Sequence, residues 1–297
     1  MSVASALLRL CDASGARSIA VVGAAKNVGK TVIVGTLCRA LHARQIPYGL
    51  CSVGRDGETI DAVDTMPKPR LYLHENVVVA TATGVLSASP AAEMLEVSDM
   101  MTALGPLIFV RTRTPAYVEL SGPPSASAVR RVKRRLFEHG AQRVIVDGAV
   151  DRLAALAGER DAVVVSTGAS AATTLNATVA DVGALVSRLR TPQYDPTRPH
   201  VRIAGALNAT YAAALIESGE RRQVVVQDPT RIALRGRALQ NAFDRLVLRC
   251  ECPLNVIAVT VASIGRDRYF EPRAFVHAVA AQTQLPTFDA YTSMAAA

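Results

Sequence analysis

Tryptophan is absent from this chain of 297 residues, and aromatic residues make up only 4% of it. Half of the residues are nevertheless hydrophobic, so the chain can bury a large core, and that core must be mainly aliphatic. Such a composition excludes global disorder. The length suits one large α/β domain or as many as two ordinary domains.

Cysteine is scarce: the five cysteines are an odd number, and no two of them form a CxxC pair. This spacing argues against a zinc ribbon and a disulfide framework and favours free thiols in a reducing compartment. The chain start lacks the basic segment and long apolar run of a signal peptide. The charge-poor stretch 161–181 is too rich in Ser, Thr, Gly and Asn to span a membrane. We therefore expect a cytoplasmic protein with no membrane partner.

Lysine is also rare, since the 33 basic residues include only Lys26, Lys30, Lys68 and Lys133. An excess of arginine together with abundant alanine usually reflects the base composition of the genome. The net charge of +8 therefore does not by itself indicate a polyanionic partner. The single dense basic run is RRVKRR at 130–135. It is the only candidate for a nucleic-acid interface, a function that we do not expect here.

Short apolar runs alternate with helical patterns along the chain. The runs at 18–23 and 48–53 flank a helical pattern at 30–44, and continuous apolar runs are typical of strands buried on both faces of a parallel sheet. We predict an α/β fold with a mostly parallel sheet and helices on both faces. Further strands are predicted at 77–80, 107–112, 117–120, 143–146 and 162–166, and further helices at 2–10, 91–97, 125–139 and 177–189.

Three prolines in TPQYDPTRPH, residues 191–200, mark the best linker in the chain. We therefore predict a nucleotide-binding domain over 1–190, a proline-rich linker over 191–200 and a C-terminal α/β segment over 201–297. The sequence leaves open whether this last segment is a separate lobe or an extension of the same sheet.

The strongest motif is GAAKNVGKT, residues 23–31, which joins the first predicted strand to its helix. A loop that wraps a polyphosphate must turn its amide hydrogens inward, and a helix N-terminus adds unpaired N–H groups. Lys30 and Lys26 are the predicted catalytic lysines, and Thr31 offers a hydroxyl to Mg²⁺. The predicted nucleotide-binding residues are Gly23, Ala25, Lys26, Asn27, Val28, Gly29, Lys30, Thr31 and Val32.

Carboxylates that follow predicted strands are the candidates for a metal and for water. Asp147 ends the apolar run RVIVDG, and at the edge of a strand beside the phosphate loop it can reach Mg²⁺. Asp56, in the loop SVGRDGET, is a second predicted catalytic and metal residue. Glu58 and Arg55 are alternatives in the same loop, and Glu119 competes with Asp147. Asp228 also ends a predicted strand, but in the C-terminal segment.

The loop resembles the phosphate loops (P-loops) of the dethiobiotin synthetase and cobyrinic-acid-synthase group, whose pattern is GTxTxVGKT. GAAKNVGKTV aligns with that pattern without a gap, including a glycine one place earlier than in GxxxxGK[ST]. Through Lys26 and Asn27 it also resembles the loop of the molybdopterin-guanine-dinucleotide accessory proteins. The resemblance implies a Rossmann-like P-loop NTPase that uses ATP and Mg²⁺. In related ATPases an extra loop lysine acts across a dimer, which makes a homodimer an expectation.

Over about residues 15–290 the succession GLCSVGRDGETID, ELSGPPS, RVIVDGAVDR and STGAS resembles the reactivase subunits of cobalamin-dependent lysine 5,6-aminomutases. This resemblance implies an ATP hydrolase that helps to exchange damaged cobalamin on a partner mutase. The alternative is a small-molecule ligase or kinase of the dethiobiotin synthetase type. It predicts a pocket beside the γ-phosphate lined by Arg55, Glu119 and Ser121. Against it, the VEGAGG of those synthetases is VDGAVD here.

Overall fold

The computed structural model describes residues 2–53, 70–86, 92–149, 153–154, 156–157, 161–292 and 294–296. Its helices are α1 Val3–Ala13, α2 Lys30–Ala43, α3 Thr83–Leu86, α4 Ala126–Glu138, α5 Leu175–Leu189, α6 Ala209–Glu217, α7 Gly236–Arg245 and α8 Pro272–Thr283. Its strands are β1 Ser18–Gly23, β2 Tyr48–Ser52, β3 Leu71–Leu73, β4 Val78–Ala82, β5 Ala92–Thr102, β6 Gly105–Thr112, β7 Ala116–Val118, β8 Arg143–Ala149, β9 Asp161–Gly168, β10 His200–Arg202, β11 Gln223–Val226, β12 Val247–Cys250, β13 Asn255–Ala262, β14 Thr287–Asp289 and β15 Ala295–Ala296.

A ten-stranded sheet forms the centre of the molecule, in the order β15-β14-β13-β9-β1-β8-β2-β4-β6-β5. Neighbouring strands from β14 to β4 are parallel. At the two edges of the sheet, the pairs β4–β6, β6–β5 and β14–β15 are antiparallel. The predicted α/β class with a mostly parallel sheet is confirmed. The inner strands are apolar on both faces because helices cover both faces.

Alternate residues of each inner strand pack against different helices. In β8, Val144 and Val146 belong to the core cluster formed with α4, α5 and α8. Ile145 points the other way, into the cluster formed with α1 and α2. Because side chains alternate along a strand, Asp147 lies on the same face as Ile145, which is the face that α2 covers.

The C-terminal segment contributes to both sheets. Strands β10, β11 and β12 form a small parallel sheet, while β13, β14 and β15 return to the large one. The predicted linker is tied to β12, since the amide of Tyr194 donates to the carbonyl of Cys250 and the amide of Cys250 donates to the carbonyl of Pro192. The segment therefore extends the large sheet and also forms a small sheet of its own.

One predicted element was wrong, and another forms in a different sheet. The helix over 91–97 is the beginning of strand β5, which pairs antiparallel with β6. Its Glu, Met and Leu residues favour a helix locally, but pairing along β6 overrides that preference. The strand over 117–120 is not part of the large sheet, because β7 pairs antiparallel with β3 in a separate two-stranded sheet. Strands β12 and β14, which are only four and three residues long, were not predicted.

All five cysteines are free thiols, and four of them are buried. Burial raises the pKa of Cys38, Cys51 and Cys250 to about 12, because a thiolate is poorly solvated in the core. These side chains are therefore neutral, apolar core residues at neutral pH. Among the described residues, none of the helices has both the length and the hydropathy needed to cross a membrane.

A buried ion pair joins α4 to the start of β9. Lys133 is 5% exposed and Asp161 is 2% exposed, and Lys133 Nζ contacts Asp161 Oδ2. Ser18 Oγ, from the start of β1, donates to Asp161 Oδ1 at 2.5 Å. The carboxylate thus binds three elements together, and each of its oxygens has a partner.

Replacing Lys133 by Met should destabilise the protein by about 3–5 kcal/mol, because Asp161 is left as an uncompensated buried charge. Chemical denaturation measures the loss. Arg134→Met, on the exposed side of the same helix, is the control and should change the stability by less than about 0.5 kcal/mol. The double variant Lys133→Met, Asp161→Asn should recover part of the loss. A loss below about 1 kcal/mol in the single variant would contradict the assignment of the pair as buried and essential.

Candidate functional site

The loop after β1 lies at the carboxyl edge of the parallel strands, between β8 on one side and β9 on the other. Its first amide, that of Ala24, donates to the carbonyl of Ser166 in β9 at 2.8 Å. The chain crosses from β8 to β9 over β1, so the loop occupies the point where the strand order reverses. Open α/β sheets bind ligands at this point.

Gly23 explains why the glycine of the motif is one place early. A Cβ at this position would lie 3.1 Å from the carbonyl oxygen of Ala25 and 3.3 Å from Cγ2 of Val28. The loop therefore folds back over Gly23, and a side chain at this position would be tightly packed against the loop backbone and Val28. Val28 is the buried anchor of the loop, whereas residues 24–27 are exposed.

The N-terminus of α2 has no side-chain cap. Gly29 occupies the N-cap position with φ 77°, and Asn27 also has a positive φ of 57°. The first intrahelical bond after the cap runs from the amide of Ile33 to the carbonyl of Gly29. In such geometry the preceding amides, including those of Lys30 and Thr31, have no intrahelical acceptor. They add to the positive end of the helix dipole, which favours an anion there.

The nine predicted nucleotide-binding residues thus form one continuous turn, but they offer different groups. The side chain of Val28 is buried, so this residue can contribute only its amide. The N-terminus of α2 is half-buried at Gly29, Lys30, Thr31 and Val32. The exposed side chains are those of the first half of the turn: Ala25, Lys26 and Asn27.

Lys30 and Asp147, which the sequence selected separately, are brought together. Lys30 Nζ lies 2.8 Å from Asp147 Oδ1, and the two side chains are 28% and 21% exposed. The contact is an ion pair without hydrogen-bond geometry, because Oδ1 is buried and has no hydrogen-bond partner among the described residues. To reach this oxygen, a metal ion would have to displace the Lys30 ammonium.

These residues fit a magnesium nucleotide. Asp147 is in register with Val21 of β1, two residues before the loop, and with Ser52 of β2. Mg²⁺ prefers oxygen ligands and usually takes one or two carboxylates, with phosphate oxygens and waters completing the shell. Asp147 and the hydroxyl of Thr31 supply such oxygens. The described residues contain no group of three or more His, Cys, Asp or Glu side chains suited to a metal, so phosphate oxygens would have to complete this site.

Asp56, Arg55 and Glu58 lie outside the described residues, so their predicted roles stay predictions. Glu119 does not end a strand of the large sheet, but its carbonyl accepts from Thr81 Oγ1 of β4 at 3.0 Å.

The amide of Ser121 also donates to Thr81 Oγ1, at 3.0 Å, so residues 119–121 pack beside β4. Val79 of β4 belongs to the core cluster of α1 and α2, and Thr81 shares its face. Residues 119–121 therefore contact the face on which Asp147 lies. Asp228 belongs to the small sheet, where it accepts from the amide of Thr230 and caps the turn at Pro229–Arg231.

The arginine run at 130–135 is largely paired within the protein. Arg131 lies 2.7 Å from Asp99 and Arg135 lies 2.6 Å from Glu96, and both carboxylates belong to the edge strand β5. Lys133, in the middle of the run, is buried. This pairing neutralises much of the charge that a nucleic-acid interface would need.

Sequence reasoning missed a cleft on the other side of the loop. Lys26 and Asn27 line it together with Ala169, Ser170, Arg266, Asp267 and Arg268, and its volume is ≈ 210 Å³. The signal was the run GRDR, residues 265–268, which begins four residues after the apolar, β-branched run NVIAVTV, residues 255–261. A strand that runs parallel to the loop strand ends at the same edge of the sheet.

Comparison with protein-family models, curated proteins and solved structures gave no significant match. The resemblances noted in the sequence therefore rest on their motifs alone.

Gly29→Ala should cost more stability than Gly15→Ala. Both glycines have a positive φ, 77° and 73°, so an L side chain costs about 1–2 kcal/mol at either position. At Gly29 a Cβ would also lie 3.0 Å from Cβ of Ala262, whereas at Gly15 nothing lies within 4 Å. We expect an additional loss of about 1 kcal/mol or more at Gly29, measured by chemical denaturation. Equal losses would show that the loop does not pack against β13.

Proposed function

We propose that the protein binds Mg-ATP at the loop 23–31 and hydrolyses it. The observation that carries this proposal is the contact between Lys30 and Asp147 beside an uncapped helix N-terminus. A lysine, a carboxylate and the N-terminal amides of a helix without a side-chain cap, all at one sheet edge, are groups that a nucleoside triphosphate and its metal require.

In the proposed reaction, a water molecule attacks the γ-phosphorus and the bond from that phosphorus to the β–γ bridging oxygen breaks, giving ADP and phosphate. The amides of residues 25–31 hold the phosphates, and Lys30 stabilises the charge of the transferring group. Bound Mg²⁺ would supply charge neutralisation on the β- and γ-phosphate oxygens, with Thr31 and Asp147 as its protein ligands. Asp56 is the proposed carboxylate that orients the water.

The proposed role of the hydrolysis is to drive an accessory protein that acts on another protein, in the manner of a reactivase for a cobalamin-dependent aminomutase. The succession of motifs along the chain supports this role. The ATP-dependent ligase or kinase is the second candidate, and one observation favours it. Residues 119–121 are bonded to Thr81 on the same face of the sheet as Asp147, where a small acceptor would approach the γ-phosphate.

Lys30→Ala should weaken Mg-ATP binding by about 100-fold, because a charge-assisted contact to phosphate is lost. Asp147→Asn should leave the affinity for metal-free ATP nearly unchanged. It should remove most of the increase in ATP affinity that Mg²⁺ gives. Calorimetry with and without Mg²⁺ measures both effects. Arg39→Ala, further along α2, and Asp244→Asn, on α7, are the matched controls and should bind like the wild type. Unchanged affinity in Lys30→Ala would refute the assignment.

The two candidate roles differ in what accelerates ATP turnover. For the accessory role, we expect ADP release to rise at least about tenfold when a cobalamin-dependent aminomutase carrying inactivated cobalamin is added. For the ligase role, the rise requires a small acceptor instead, and Glu119→Gln should raise the KM of that acceptor while leaving the affinity for ATP unchanged. Turnover that depends on neither addition would contradict both roles but not nucleotide binding.

A further inference from the structure

A second cationic surface faces the phosphate loop across the cleft. Lys26 lies on the loop side, and Arg266, Asp267 and Arg268 lie on the opposite side, in the connection between β13 and α8. The cleft of ≈ 210 Å³ is open to solvent and adjoins the nucleotide-binding turn. It lies on the β9 side of the loop, whereas Asp147 lies on the β8 side.

The opposite wall is a short hairpin, residues 263–270, which we call the arginine hairpin. The amide of Phe270 donates to the carbonyl of Ser263 at 2.9 Å, and the amide of Gly265 donates to the carbonyl of Arg268 at 2.8 Å. Ser170, in the connection after β9, accepts from the amide of Arg266 at 3.4 Å. The tip of the hairpin is therefore positioned by its own backbone bonds and by its contact with the connection after β9.

Among the described residues that line the cleft, three carry a cationic side chain and one, Asp267, carries a carboxylate. Within the described part of the chain, the guanidinium of Arg268 makes no ion pair or side-chain hydrogen bond. Like charges that share one cleft repel each other, and an anionic ligand between them removes that repulsion. No aromatic ring is among the described residues that line the cleft, although base-binding pockets usually have apolar or aromatic walls.

We propose that the cleft is the second half of the polyphosphate site, and that the arginine hairpin binds the phosphates that the loop itself does not enclose. This inference rests on the proposed nucleotide binding. Arg268 is the principal contact, because its planar guanidinium can hold two phosphate oxygens at once. Lys26 contacts the same phosphates from the loop side. The ligand class is a polyphosphate, recognised through its phosphate oxygens rather than through its base.

The test compares Arg268→Gln with Arg273→Gln, an exposed arginine on α8 that does not line the cleft. The probes are Mg-ATP, Mg-tripolyphosphate and adenosine, each titrated by calorimetry at two salt concentrations. We expect Arg268→Gln to weaken both Mg-ATP and Mg-tripolyphosphate by about tenfold and to reduce the salt dependence of binding. Arg268→Lys should recover part of the affinity, and Arg273→Gln should bind like the wild type.

Each other outcome overturns the proposal in a recognisable way. If Arg268→Gln weakens Mg-ATP but not Mg-tripolyphosphate, the hairpin contacts the nucleoside instead. If the Arg268→Gln variant binds both phosphate probes with the same affinity as the Arg273→Gln variant, the arginines of the hairpin are only part of a solvated surface. If the wild type binds neither phosphate probe, the proposed nucleotide binding fails, and the proposed phosphate contacts of the arginine hairpin fail with it.

Discussion

The side-by-side pairing of β1 and β8 is the constraint on which the candidate site depends. The loop leaves the sheet after β1, and Asp147 is held by β8 in register with Val21 of β1. Because the two strands are parallel and adjacent, the helix that starts at Lys30 places its first side chain over that carboxylate. A strand inserted between β1 and β8 would move Asp147 away by about 5 Å, beyond the reach of this contact.

The two sides of the loop have different chemistry. On the β8 side a carboxylate meets Lys30, which suits a metal bound to the terminal phosphate. On the β9 and β13 side, arginines and Lys26 face one open cleft, which suits phosphate oxygens without a metal. A polyphosphate lying along the loop would contact both sides. The proposed metal ligands and the arginine hairpin would then belong to one elongated site.

Charge on helix α4 is largely compensated locally. The basic helix α4 is paired with carboxylates of β5 through Arg131 and Arg135, and its one lysine is buried against Asp161. A strongly basic sequence therefore does not imply a strongly basic surface at this helix. The cleft beside the loop is lined, among the described residues, by three cationic side chains and one carboxylate.

The sequence by itself determined the α/β class, because buried parallel strands leave strong local patterns, and it supplied the proposed phosphate loop and Asp147 from the local pattern of an anion-binding turn. Only the tertiary structure decided that 91–97 is an edge strand, that 201–297 divides between two sheets, and that the arginine hairpin faces Lys26. These features depend on pairing between residues far apart in the chain, such as Ser170 with Arg266, and local propensity carries no information about such contacts.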